Sequence, residues 1–443
     1  MEAPQYRDFA SLNKLHPYAG LFPMVVRMKI EEKIKALSVK FFPNLVKLRR
    51  ELHQYPEIAY TEFKTSEIIV RELQKIGLDI KKGVAKTGVV GLLNKNIKGK
   101  TVALRADIDA LPVTELTGFP FKSKSPGRMH ACGHDVHMSC VIGAAKILSS
   151  LKNELPGNVK FIFQPSEEAT PGGAYPMIKA GVLKNPEVDG IFGLHCDSNI
   201  PVGKIGVKNG PMMAQADDFD ITIIGKGGHG ARPQDGIDAI VVASAVIQAL
   251  QTIPSRRISP LKPVVISVGI VQGGTARNII CDKVVLKGTA RTLEKSITKK
   301  IPELLKEIVA GVTSGYGADF ELNYNPGYPV LINDPIMTDL VRGSITNLFG
   351  KEAIFEIKEP MMGGEDFAYF LNEVPGSFLR LGIRNGKLGA IYPWHHPKWK
   401  VDEEGIYIGT SILAKLAFDF LNFGVHPADA ASRLWRDVLH KNF

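Results

Sequence analysis

The nine residues MHACGHDVH, Met129 to His137, contain three histidines, one cysteine and one aspartate. Neutral imidazole and thiolate are ligands for divalent transition metals, and Cys132-x-His134 sets one of each on nearby positions of a turn. Taken alone, the pair reads equally well as a buried thiol beside surface histidines. Three further groupings change the balance. Glu167-Glu168 follows an apolar run and precedes a Gly-rich turn, His195 ends a second apolar run, and His395-His396 stands in YPWHHPKW. Together they supply enough ligands for two metal ions sharing a cleft. The paired glutamates suggest a division of labour, with one binding metal while the other takes a proton from water and passes it to a leaving amine.

Such groups need elements to hold them. From Ile30 to Ile76 apolar residues recur at helical spacing, interrupted at Tyr55-Pro56 and resumed at Glu62, which predicts two helices. Thr87–Leu93, Lys100–Asp109, NVKFIFQP and VDGIFGLH read as strands, the last two ending at Pro165 and His195, and His137–Leu151 reads as a helix. Strands alternating with helices predict an α/β domain with a mostly parallel sheet, whose sites form past the carboxyl ends of strands. Asp107, Asp109, Glu167, Glu168 and His195 fall at such ends. Near Ala214 the pattern changes to β-α-β-β-α-β, a smaller ferredoxin-like sandwich. The expected organisation is a discontinuous catalytic domain over 30–213 and 327–424, a small domain inserted at 214–326, and extra segments at 1–29 and 425–443, the last a candidate amphipathic helix.

Composition narrows the function classes. The 443 residues carry a formal charge of +10, but 45 acidic residues are interspersed among 55 basic ones, so a solvated basic surface is expected. No aromatic-basic interleaving points to nucleic acid. No apolar run approaches the ~20 residues of a membrane span, and no signal-peptide order opens the chain. Four scattered cysteines (Cys132, Cys140, Cys196, Cys281) suggest reduced thiols and a cytoplasmic setting. Cys140 and Cys196 read as core residues. His53 reads as structural, His130, His137 and His395 as loop-shaping, and Asp109 and Asp135 as either histidine-orienting or turn-capping.

LRADIDALP, MHACGHDVH, FIFQPSEEA, GLH, GKGGHGARP, GGTARNII, GGEDFAYF and the late His396 resemble, in this order, the M20 metallopeptidase family. They look like its subfamily D, the N-acyl-amino-acid amidohydrolases, with hippurate-hydrolase-like, auxin-conjugate-hydrolase-like and carboxypeptidase-like members. The resemblance runs from about Leu45 to about Phe420. It implies a zinc-exopeptidase-like catalytic domain with an inserted lid that also dimerises. It further implies two divalent ions, zinc or manganese with cobalt or nickel permitted, on Cys132, His134, Glu168, His195 and His396. Glu167 matches the general base and Asp107 the aspartate that orients a ligand. His229 matches a lid histidine that supports the oxyanion, often across the dimer. Asn278, and more loosely Arg291, match groups that hold the substrate carboxylate, and Gly363, Gly364 and Glu365 match the loop beside substrate. Cys281 departs from the pattern, standing where proline is more usual.

The expected activity is hydrolysis of the amide of an N-acyl amino acid or similar small conjugate, by a homodimer or higher homo-oligomer, without nucleic acid or membrane partners. A carboxypeptidase or dipeptidase would use the same groups with a different acyl pocket, for which Trp394, Trp399, Tyr392, Met361 and Met362 are candidate lining residues. A binding protein of the same fold would lack a ligand or the base, and none is missing.

Overall fold

The computed structural model describes residues 28–95 and 97–423. Apart from positions 28 and 29, the expectations for the two terminal segments lie outside the described residues. Two helices open the described chain, α1 (Ile30–Gln54) and α2 (Phe63–Ile76). Gly77, left-handed at φ 80°, ends α2 by donating its N–H to the Gln74 carbonyl. Then follow β1 (Asp79–Val84), β2 (Gly88–Leu93), β3 (Thr101–Asp107), α3 (His134–Ser150), β4 (Asn158–Gln164), β5 (Gly190–Pro201) and β6 (Ile205–Val207). The small sandwich comprises β7 (Gln215–Ile224), α4 (Ala239–Leu250), β8 (Val264–Gly273), β9 (Lys283–Thr292), α5 (Ile301–Gly315) and β10 (Asp319–Tyr328). The chain returns through α6 (Pro335–Phe349), β11 (Ile354–Glu356), β12 (Gly376–Arg384) and α7 (Glu404–Asn422).

The large sheet has the order β1-β2-β4-β3-β5-β12-β6-β11. Strands β4, β3, β5 and β12 run parallel, as do β6 and β11, whereas β1–β2, β2–β4 and β12–β6 are antiparallel, so the sheet is mixed with a parallel centre. Strand β1 escaped the sequence reading because DIKKGV has no apolar alternation. It is an exposed edge, where its lysines discourage pairing with another chain. Every residue of β3 and β4 is buried, because helices cover both faces. On one face α1, α3 and α7 pack around Leu45, Val141, Ile412 and Leu416; on the other lie Phe367, Phe370 and Phe378. Each such side chain contributes about 1.5–3 kcal/mol of burial, which makes the sheet a stiff floor.

Strand β5 does not stop at His195. It continues to Pro201 because β12 keeps pairing with it, Arg380 opposite His195 and Gly382 opposite Asp197, before the register slips. His195 therefore rises from the body of a strand, not from its end.

The second sheet is separate, smaller and wholly antiparallel, ordered β8-β9-β7-β10. Along β7 burial alternates, sending Phe219, Ile221 and Ile223 into a core shared with Val242, Val246, Leu286, Leu305 and Val309. Residues Ala239–Arg257 are the one described helical stretch long and apolar enough to cross a bilayer, a property the sequence reading passed over. Val242, Ala243, Val246 and Leu250 of this stretch face the small core, whereas Ile240 and Val241 are exposed.

Candidate metal centre and active site

Helix α3 begins at His134, and the residue before it explains the Cys-Gly-His spacing. Gly133 sits at φ 103°, and a Cβ there would lie 2.9 Å from Trp399 and 3.0 Å from Cys196. Only glycine fits, and the turn it makes points Cys132 and His134 at the same space.

Hydrogen bonds then choose which imidazole nitrogens are free. His134 Nδ1 donates to the Asp109 carbonyl at 2.8 Å, leaving Nε2 buried without a partner. His195 Nδ1 donates to the Cys196 carbonyl at 2.7 Å, and its Nε2 faces the Cys132 sulfur at 3.2 Å. Fixing the far nitrogen in this way is how a ligand histidine is aimed. His137 differs. Its Nδ1 donates to Asp107 at 2.6 Å and its Nε2 accepts the Cys196 N–H at 2.8 Å, so no nitrogen is left for a metal.

Glu167 and Glu168 follow Ser166, a non-glycine residue at φ 54°. That strained turn is held by the Ser166 N–H on Glu62, by the Glu168 N–H on Asp109 and by Tyr328 donating to the Glu167 carbonyl. Glu168 Oε1 is buried and unpartnered, 3.8 Å from His134 Nε2. Its Oε2 lies 3.5 Å from His395 Nε2. Cys132, His134 and His195 form one set of ligand atoms within 4.8 Å of each other; Cys132, Glu168 and His395 form another; His134, Glu167 and Glu168 a third.

His395, at φ 65°, is thus the histidine of the pair that joins the cluster. His396, the expected ligand, stacks on Tyr392 and accepts the Lys398 N–H through Nδ1. The sequence placed ligands in this loop but could not say which of two adjacent side chains turns inward.

The cluster packs acidic groups against its sulfur and nitrogen donors. Burial, then the carboxylates of Glu168, Glu167 and Asp107, push the Cys132 thiol well above its ordinary value. Burial, then Glu365 and Glu168, hold the Glu167 carboxyl well above the carboxylate range. Burial pulls His134 down, but Asp107 and Asp109 more than reverse this and raise it to about 10. The unpartnered His134 Nε2 and Glu168 Oε1, with a mixed sulfur, nitrogen and oxygen donor set, fit divalent metal ions. Cys132, His134, His195, Glu168 and His395 are the groups placed to hold them.

The model of Peptidase family M20/M25/M40 matches residues 103–419. The chain belongs to the M20 peptidase family. Relatives of this M20 peptidase include thermostable carboxypeptidase 1 of Saccharolobus solfataricus, 40% identical over 89% of this chain and 100% of that protein. N-acetylcysteine deacetylase of Bacillus subtilis is 40% identical over 85% of this chain and 97% of its own length. A solved dinuclear metal-binding M20 peptidase from Bacillus subtilis superposes with a TM-score of 0.76 at 37% identity, covering 87% of this chain and 99% of that one. The cluster is accordingly a dinuclear divalent-metal site of a metal-dependent hydrolase.

The remaining expected residues occupy three settings. Asp107 is buried at the end of β3, shared between His137 and Arg105. Glu365 is buried, accepts the Phe367 N–H and lies 3.1 Å from Arg105, while Gly364 packs beneath Ala216 and Tyr328. His229, Asn278 and Arg291 sit on the small domain. His229 is exposed on a two-stranded ribbon opposite Ile279, beside Asn278, and Arg291 is half-buried on β9. These three make no hydrogen bond or ion pair with the metal cluster in the single chain.

Sequence reasoning missed Arg105. Fully buried, it pairs with Asp107, Glu365 and Asp366 and donates to Gln164, tying β3 and β4 to the GGED loop. Asp109 orients His134, whereas Asp135 is engaged by Arg49 and His53, away from the ligands. All four cysteines are free and buried, and Trp399 belongs to the core rather than a pocket wall.

Proposed function

We propose that this M20 peptidase is a subfamily D amidohydrolase that cleaves N-acyl amino acids to a carboxylic acid and a free amino acid. The observation that carries this reading is Glu167. Its carboxyl is buried within 4.8 Å of His134 and Glu168, yet also beside Glu365 and Asp366, which raise its affinity for a proton. A base that must accept a proton from water and return it to an amine needs that environment. Divalent ions, zinc or manganese, supply the Lewis acidity that acidifies a water and polarises the acyl carbonyl. Glu167 moves the proton. Asp109 and the Cys196 carbonyl hold the ligand imidazoles in the productive tautomer.

In this reading residues 214–326 act as the lid over a catalytic body of 30–213 and 327–424. His229 Nδ1 accepts the Ala231 N–H, so Nε2 carries the proton and is a donor suited to an oxyanion. Asn278 and Arg291 hold the free carboxylate. The exposed edge strand β8, with Val265, Ile270 and Val271 outward, supports pairing with a second copy. The 40% identical carboxypeptidase favours a second reading, peptide hydrolysis on the same centre. Amine release from N-acetyl, N-benzoyl and indole-acyl amino acids, run beside dipeptides, decides between them. Metal-dependent turnover of acyl amino acids with little dipeptide cleavage is expected; faster dipeptide turnover overturns the assignment.

A further inference from the structure

Arg380 stands on β12 directly across from His195 and is 1% exposed. Its guanidinium lies over the Trp394 ring at 5.1 Å, and Trp394 in turn packs on His195 at 5.3 Å. Unlike Arg105, it forms no ion pair with a carboxylate among the described residues, although Asp197, Glu365 and Glu167 lie near enough to act on its charge. Nη2 reaches only the Met213 sulfur at 2.9 Å and the Met361 sulfur at 3.4 Å, and Nε has no partner at all. The neighbouring Asp197 carboxylate is engaged by the Asn199 N–H. The strand beside it leaves it room, since a Cβ on Gly206 would come within 2.8 Å of the Arg380 Cβ.

A guanidinium cannot shed its proton to escape burial, and an unpaired buried cation is costly. Thioethers are weak acceptors on flexible stems that yield readily to a better ligand. A planar fork whose Nε is unpartnered and whose Nη2 is held only by thioethers, one strand from a ligand histidine, is the geometry that takes a carboxylate.

We propose that Arg380 is a specificity residue that binds a carboxylate of the substrate at the floor of the cleft, displacing Met213 and Met361. The proposal rests on the amidohydrolase reading and narrows its substrate class to conjugates that place an anion there. The anion is a second carboxylate, on the acyl half or on the amino-acid side chain, because the α-carboxylate is assigned to Asn278 and Arg291, and two substrate pairs separate these. They are N-succinyl- against N-acetyl-L-leucine, and N-acetyl-L-glutamate against N-acetyl-L-glutamine.

In metal-loaded wild type, one pair should show at least a tenfold kcat/KM preference for its anionic member. Arg380→Gln should erase that preference through KM, leaving kcat for the neutral member within about threefold, and Arg380→Lys should restore part of it. An unchanged preference in Arg380→Gln overturns the proposal, as does an equal fall in kcat for both members, which would mark structural support of His195. If wild type cleaves nothing, the amidohydrolase reading fails by itself. Calorimetric titration of succinate into the metal-loaded protein still decides the role of Arg380. Binding weakened tenfold or more in Arg380→Gln, with unchanged circular dichroism, upholds it, and equal binding overturns it.

Discussion

His134 and His229 are both histidines that follow a glycine, yet the two domains treat them differently. His134 is buried at the start of α3, with one nitrogen fixed on Asp109 and the other aimed at Glu168. His229 is exposed on a two-residue strand, and its Nδ1 accepts the Ala231 N–H two residues along. The catalytic body is preorganised within one chain by burial and second hydrogen bonds. The small domain leaves His229 and Asn278 facing solvent, and under the proposed function they act when domain closure or a second copy brings them to the cleft.

Substitutions in each domain test this contrast. The largest effect should come from Glu167→Gln, which keeps shape and hydrogen bonding but removes the base. Activity should fall by about 10²–10⁴ with metal content unchanged, measured by kinetics beside elemental analysis. Near-normal activity would remove Glu167 from its role. Arg105→Met should cost about 3–5 kcal/mol of stability, because Asp107, Glu365 and Asp366 would be left buried without their cation. A denaturant midpoint close to wild type would contradict that. His229→Ala should cost about 10²–10³ in kcat while leaving the melting temperature unchanged, since nothing packs on an exposed ring. A falling melting temperature would mean the residue is structural.

A smaller effect separates the adjacent histidines. His395→Ala should weaken metal retention by at least about tenfold, whereas His396→Ala should leave it intact. The opposite pattern would show that the loop rearranges on loading. The mildest effect concerns pH. In metal-free protein the folded-state value of His134 is raised to about 10, from an ordinary 6.5. Its charge therefore stabilises the fold fully below about pH 6.5, and that contribution fades as pH climbs toward 10. Chelated protein should lose melting temperature across this window more steeply than loaded protein, and loading near pH 8 should release protons.

The cluster was legible in the sequence because its ligands are rare types at short spacing, and glycine between Cys132 and His134 marks a turn only glycine can make. The small sandwich was legible because β7 and α4 carry clean periodicities of two and near four. The rest was hidden for physical reasons. Arg105 and Arg380 look like ordinary polar residues of a strand until both faces of that strand are known to be buried. The far half of β5, CDSNIP, has no apolar pattern, since β12 holds it by backbone pairing. The choice of His395 over His396 depends on one backbone angle, φ 65°, that residue types do not encode.

The most direct test of the account is a metal titration of chelator-stripped protein, following N-acetyl amino acid hydrolysis and bound metal together with manganese and then zinc. No turnover without metal, two equivalents bound per chain, and hydrolysis that depends on both are expected. Full hydrolysis by stripped protein, or saturation at two equivalents with no amide of any kind cleaved, would contradict it.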